Sequence, residues 1–296
     1  MQVSNRAHGK VIIMGEHAVV YGANALAIPI KSLQIKTTVS TCSELIMKSK
    51  NYEGLVEEAP SEYAGLVDLI KKLTKGKTCR LVFEGEIPIA RGLGSSATVA
   101  LSTARALNDF WSLGLSESDI LRLTNEAEMI NHGKASGLDA AVVNSNAPIF
   151  FNKETGAHQF NASLKSHLLI MDTGQIGNTK EAVMLVKSEL AGEKVKLMDE
   201  LSTLPDLTKE AWINNEPEKV GQYFRKAQTI LSSFKLSTKR IDKIVEISDQ
   251  FAFGTKISGG GLGGIVIALC PSFEICEKIA KLCTDEIDQY WIEDLS

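Results

Sequence analysis

The residues best suited to chemistry lie in and around one glycine- and serine-rich stretch, Ile87-Pro88-Ile89-Ala90-Arg91-Gly92-Leu93-Gly94-Ser95-Ser96-Ala97. It links a strand-like run, 80–86, to an apolar helical run that begins near Ala97. Small residues at a helix start leave unpaired backbone N–H groups at the positive end of the helix dipole, an arrangement that favours an anion. Gly92 and Gly94 allow the backbone to approach a phosphate without a Cβ, and Ser95 and Ser96 supply hydroxyls for phosphate oxygens or a magnesium ion. Two other readings stay open at this point. The stretch is also an ordinary glycine turn with Ser95 or Ser96 as a helix N-cap. Gly92-x-Gly94-x-x-Ala97 also satisfies the dinucleotide fingerprint, which needs a second parallel strand soon afterwards. Two helical patterns, 97–113 and 116–131, follow instead, and they make the dinucleotide reading weak.

Charged residues elsewhere are candidates for the rest of a phosphoryl-transfer site. Lys10, Glu16 and His17 fall within eight residues around the apolar run Val11-Ile12-Ile13-Met14, Lys10 just before it and Glu16 and His17 at its exit, between Gly15 and Gly22. Loops at strand exits carry function disproportionately, although each of these side chains taken singly reads as a solvated surface group. Glu128 lies off the apolar stripe of the second helix (Ile120, Leu123, Ala127, Ile130) and shares a face with Leu121, Thr124 and Asn125. A mid-helix Glu is also an ordinary helix former. Asp139 has capping-box spacing from Ser136, which favours a structural cap, yet a carboxylate beside a Mg-nucleotide is what a hydroxyl acceptor needs to lose its proton.

The elements that must position these residues follow from periodicity. Residues 33–41 alternate apolar and polar as a half-buried strand, with 45–47 as its expected hairpin partner. Pro60 and Ser61 open a helix with Leu66, Leu69, Ile70 and Leu73 on one face, closed by Gly76. Ser116-x-x-Asp119 caps the second helix after the glycine loop, and His132-Gly133 ends it. A strand at 168–171 runs into Asp172-Thr173-Gly174, and helices are expected over 179–190, 195–201, 218–232 and 237–251. The run Ser258-Gly259-Gly260-Gly261-Leu262-Gly263-Gly264 precedes a strand, 265–269, so it is a turn of close backbone approach and not a dinucleotide loop. A helix from 273 to 284 and a last strand at 289–292 complete the chain. The boundary falls near 163–166, giving domains 1–164 and 165–296.

Composition narrows the class. The chain has 296 residues, 44% hydrophobic and 23% charged, enough for two modest domains. A net charge of −4, from 32 basic and 36 acidic residues without basic clusters, argues against nucleic acid or an anionic membrane surface as the main partner. Five cysteines without C-x-x-C spacing indicate neither a disulfide framework nor a zinc site, and fit a reducing cytosol. The apolar run 11–14 is too short for a signal segment, and no stretch approaches a membrane span. The oligomeric state is left open, a homodimer included.

Taken together, three segments resemble the kinase superfamily of galactokinase, homoserine kinase, mevalonate kinase and phosphomevalonate kinase: Gly9 to His17, Pro88 to Ala97, and Lys256 to Gly264. The resemblance spans 9–292. Gly15-Glu16-His17-Ala18-Val19-Val20-Tyr21-Gly22 and Glu128-x-x-x-His132-Gly133-x-x-Ser136-Gly137-x-Asp139 are most similar to its mevalonate kinase branch. Lys134-Ala135 departs from a common Asn-Pro, and Leu262 stands where Arg or a small residue is usual. The resemblance implies an α+β fold, with a ribosomal-protein-S5-like N-terminal domain containing a left-handed βαβ unit, a ferredoxin-like C-terminal domain, and ATP and substrate between them. It implies phosphorylation of the mevalonate C5 hydroxyl, with another small-molecule kinase of the superfamily, such as phosphomevalonate kinase, as the alternative and a non-catalytic metabolite sensor as a more distant one. Asp139 would be the base, with Lys10 close to it and to the transferring group. ATP would contact Pro88, Ala90, Arg91, Gly92, Leu93, Gly94, Ser95, Ser96 and Ala97. Ser96 and Glu128 would hold Mg²⁺. Glu16, His17, Thr173, Gly259 and Gly260 would contact substrate, Thr173 and the glycine turn helping to close the site. Phosphoryl transfer independently requires such parts: a phosphate cradle, a cation, an oxygen-ligated Mg²⁺ and an acceptor-orienting carboxylate. No Walker A pattern is present.

Overall fold

Val3, Asn5 and Ala7 turn inward at every second position and carry the polar N-terminal residues into the first strand, β1 (Gln2–Met14). The computed structural model describes residues 1–85, 87–88, 91–132 and 136–296. Contacts divide the chain into two units. One comprises Met1–Lys10, Pro29–Ile89 and Gly94–Asn146; the other comprises Val11–Ile28, Ala90–Leu93 and Ala147–Ser296.

The first unit takes the start of β1, most of β2 (Ala25–Ser40), β3 (Ile46–Lys48), β4 (Glu53–Leu55), α1 (Ala64–Thr74), β5 (Arg80–Gly85), α2 (Ser95–Trp111), α3 (Glu117–His132) and α4 (Leu138–Val143). Residues 45–47 were expected to form a hairpin with 33–41, and the structure corrects this. β5 occupies that edge of β2, pairing antiparallel from Ile35↔Gly85 to Ser40↔Arg80. β3 therefore lies outside it, parallel to β5 and antiparallel to β4. The core is one cluster: Leu66, Leu69, Ile70 and Leu73 of α1, Ala97, Ala100, Leu101 and Ala104 of α2, Ile120, Leu123 and Ala127 of α3, and Val39, Met47 and Leu81 of the strands. Each buried Leu or Ile contributes roughly 1.5–3 kcal/mol relative to exposure. Ile130, assigned to the buried stripe of α3, is 45% exposed, whereas Glu128 is only 4% exposed. The capping box is present as expected, Asp119 N donating to Ser116 Oγ (3.2 Å) and Ser116 N to Asp119 Oδ2 (3.1 Å).

The second unit contains β6 (Ile149–Asn152), β7 (Gly156–Gln159), β8 (His167–Asp172), α5 (Thr179–Glu189), α6 (Glu193–Ile213), α7 (Pro217–Ser233), α8 (Lys239–Ser248), β9 (Gly254–Ser258), β10 (Ile265–Cys270), α9 (Phe273–Leu282) and β11 (Gln289–Asp294). Its four-stranded sheet has the order β11-β8-β10-β9 with every neighbour antiparallel. In chain order this is strand, helices, two strands, helix, strand with the sheet order 4-1-3-2, the ferredoxin-like arrangement. The helix expected over 195–201 runs to Ile213, with Pro205 buried inside it. Proline removes a single N–H bond, and packing of Leu201, Leu204, Ala211 and Trp212, all fully or nearly fully buried, outweighs that loss. Gly15, at the exit of β1, has φ +108° and a Cβ there would lie 2.5 Å from Asn24 O, so no other residue fits.

Candidate active site

In the first unit, the glycine loop enters α2 through Gly94, which has φ +72° and is the helix N-cap. Neither Ser95 nor Ser96 is the cap, as the simpler turn reading required; both are the first residues of the helix itself. A Cβ at Gly94 would stand 2.8 Å from Lys10 Cγ, so sterics and backbone both demand glycine. Among the described residues no side chain caps this helix end, and no acidic residue occupies its first turn, an arrangement that suits an anion. Thr98 fastens the end to β1, its hydroxyl donating to His8 O (3.0 Å) and Gly94 O (2.8 Å). Ser96 Oγ accepts from Asn131 Nδ2 (2.8 Å), and Glu128 lies three residues earlier on the same face of α3.

Lys10 and Asp139 meet in this unit although 129 positions separate them in the chain. Lys10 Nζ is 2.9 Å from Asp139 Oδ1; the lysine side chain is 4% exposed and the aspartate 40%. The stem of Lys10 runs beside Gly94, so the pair adjoins the N-terminus of α2. Asp139 is not the cap of α4. Gly137 takes the N-cap position with φ +88°, and Ser136 Oγ accepts from Leu138 N, so Asp139 is left to Lys10.

The second unit gathers Glu16, His17, Arg91 and the glycine turn. Arg91 Nε donates to Asp172 Oδ2 (3.1 Å) and Nη2 to Gly174 O (2.8 Å), while Nη1 has no partner among the described residues. Thr173, expected to contact substrate, is fully buried and its hydroxyl donates to Gly264 O (2.9 Å); it braces the glycine turn. His17 is the centre of a γ-turn with φ 61° and ψ −47°, closed by Ala18 N donating to Glu16 O (2.6 Å). A non-glycine residue in such a conformation costs about 1–3 kcal/mol and persists only where its surroundings hold it. They do so here. Gly260 O is only an acceptor, so His17 Nε2, 2.9 Å away, carries the ring proton and Nδ1 is left as the acceptor. Burial pushes the imidazole below its ordinary value, against the opposing effects of the Gly260 bond and Glu16. Leu262, the residue that departs from the family pattern, has φ +60° and donates its N–H to Leu236 O (2.8 Å). Ala90, Gly133 and Lys134-Ala135 lie outside the described residues.

The pattern described as GHMP kinases N terminal domain matches residues 62–145, and that described as GHMP kinases C terminal matches 209–284, together more than half of the chain. The chain belongs to the GHMP kinases. A mevalonate kinase of Pyrococcus furiosus is 28% identical over 92% of this chain and 90% of its own length. The crystal structure of the Methanococcus jannaschii mevalonate kinase covers 99% of this GHMP kinase with 25% identity, a TM-score of 0.84 and 96% of its own chain. That of the L. major mevalonate kinase in complex with R-mevalonate has a TM-score of 0.85 over 99% of this chain and 96% of its own; at 22% identity it is a likeness of fold. The GHMP kinase fold expected from the motifs is therefore the fold found, and the chain is a phosphotransferase.

Sequence reasoning gave no role to Asn131, Asp172 or Lys256, all of which turn out to bond a candidate site residue of this GHMP kinase. A signal existed for Lys256 alone, which opens the third family-like segment, Lys256 to Gly264; the structure places it in a strand buried at every position.

Proposed function

We propose that this GHMP kinase transfers the γ-phosphoryl group of ATP to the C5 hydroxyl of mevalonate, giving 5-phosphomevalonate and ADP. The observation that carries the reaction class is the Lys10–Asp139 pair beside the N-terminus of α2, where Gly94 is the N-cap and no described side chain bonds the free N–H groups. The substrate is supported by the names of the relatives, among them the mevalonate kinases of Pyrococcus furiosus and Methanococcus jannaschii. Asp139 takes the proton of the acceptor hydroxyl as its oxygen attacks, and the Lys10 ammonium balances charge on the transferring group. Pro88, Ala90, Arg91, Gly92, Leu93, Gly94, Ser95, Ser96 and Ala97 contact ATP, the glycines and serines cradling the triphosphate through backbone N–H groups and hydroxyls. Glu16, His17, Gly259 and Gly260 form the acceptor side, and Thr173 acts through the turn it braces.

The donor set suits Mg²⁺. Asn131 uses a single lone pair of the Ser96 hydroxyl, so the other is available, and Glu128 adds a buried carboxylate on the adjoining face. Hard oxygen donors in small number are what Mg²⁺ takes from protein when phosphates and waters complete its shell. The ion supplies charge neutralisation at the phosphate oxygens. Glu128→Gln is expected to raise the Mg²⁺ concentration giving half-maximal rate by at least about tenfold. A titration indistinguishable from native would remove Glu128 from the metal shell.

The division into a nucleotide-binding domain (1–164) and a ferredoxin-like domain (165–296) belongs to the same proposal, supported by β8 to β11 lying wholly within the latter. No helix among the described residues is long and apolar enough to cross a membrane, and the five cysteines are free. A cytoplasmic location fits them.

ADP release measured across mevalonate, phosphomevalonate, homoserine and galactose tests the reading. Mevalonate is expected to be preferred by at least about 100-fold in kcat/KM, the discrimination a site built around substrate polar groups can reach. Preference for phosphomevalonate moves the chain to the neighbouring activity, and binding of ATP and mevalonate without turnover makes it a sensor.

A further inference from the structure

Lys256 is, among the described residues, the largest charged side chain that is fully buried. In β9 it is fully buried, and so is the Glu16 side chain that meets it. Its ammonium lies 2.5 Å from Glu16 Oε1 and 2.5 Å from Ile257 O, and 5.6 Å from the centre of the Phe224 ring. Burial pushes the Lys256 amine below its ordinary value, with Glu16 opposing. A buried ion pair is a poor stabiliser beside apolar residues of equal size, but it fixes direction and length once formed. What it fixes here is the residue before a strained turn. Glu16 O closes the γ-turn at His17, and the ring of His17 is held on its other side by Gly260 O. Glu16 Oε2 is buried and has no partner among the described residues, so the carboxylate keeps an oxygen that Lys256 does not use.

We propose that Lys256 is a positioning residue for acceptor binding: through Glu16 it holds the turn that sets His17 in one ring orientation and one tautomer. The inference rests on the reading of Glu16 and His17 as acceptor-side residues. Lys256 does not touch substrate; it acts through Glu16.

The test compares Lys256→Met, Glu16→Gln and the double variant with the native enzyme. Two readouts are needed, the KM for mevalonate against kcat and the KM for ATP, and the ¹⁵N shifts of His17 in protein without substrate. Lys256→Met is expected to raise the acceptor KM roughly ten- to hundredfold, the span of coupling between groups in one network, with ATP KM unchanged. His17 should change from a single Nε2–H tautomer to a mixture. The double variant should raise acceptor KM no further than Glu16→Gln alone, because the proposal routes the effect of Lys256 through Glu16. If Lys256→Met fails to fold with Glu16 left unpaired, the uncharged double variant restores the fold and still decides the question against Glu16→Gln. Additive effects on KM, an unaltered His17 tautomer, or losses in kcat and both KM values that follow only the folded fraction overturn the proposal. Absence of mevalonate turnover in the native enzyme defeats the substrate reading alone, because the His17 spectrum is read without substrate.

Discussion

Asp139→Asn is expected to lower kcat by roughly 10²- to 10⁴-fold, the usual cost of losing a positioned general base, while leaving the KM for ATP within about threefold of native. Asparagine keeps the size and one acceptor oxygen of the side chain, and Asp139 is 40% exposed, so nothing in the core must repack. It cannot take a proton from the acceptor hydroxyl. The N-cap of α4 is Gly137, so the substitution removes no cap, and the melting temperature should stay near native. Steady-state kinetics over a range of both substrates, with a thermal melt on the same sample, checks the split. A variant with native turnover leaves Asp139 as no more than a surface partner for Lys10. A variant that melts early and loses affinity for both substrates would point to a structural role.

How much of this was legible beforehand divides by the range of the interactions. Strands and helices whose register is carried by local alternation, such as 168–171, 265–269 and the helix opened by Ser116 and Asp119, appear within a few residues of their expected limits. The misplaced partner of β3 has a different origin. Residues 45–47 are near 33–41 in sequence, but the edge they would occupy is claimed by β5, forty residues on, and no local pattern announces that. The site shows the same contrast. The glycine loop is visible as an anion cradle because backbone stereochemistry is local. Which residue caps α2 is not, because Gly94 is chosen by the stem of Lys10 lying against it. The bond from the Thr173 hydroxyl to Gly264 O, ninety-one residues away, is likewise announced by no local pattern. Glu128 and Lys256 are charged residues at positions where periodicity alone suggests solvent or an ordinary strand, yet burial of both makes them expensive unless partnered.

Lys10→Met separates charge from packing at the same pair. Methionine keeps the unbranched stem that fills the space beside Gly94, where a Cβ would already be only 2.8 Å from Lys10 Cγ, so the loop should retain its path. The variant loses the ammonium at the end of a side chain that is only 4% exposed. Removing one preorganised group that stabilises transition-state charge costs about 10²- to 10³-fold in kcat, and that is the loss expected here. Binding of ATP in the ground state is shared among several backbone N–H groups and should weaken far less. Lys10 and Asp139 act on the same step, so their effects should not multiply. The Lys10→Met/Asp139→Asn double variant is expected within about tenfold of the slower single variant, as for residues that work as a unit. Independent roles would instead give the product of the two losses. That result would separate Lys10 from Asp139 in mechanism, whatever their 2.9 Å contact.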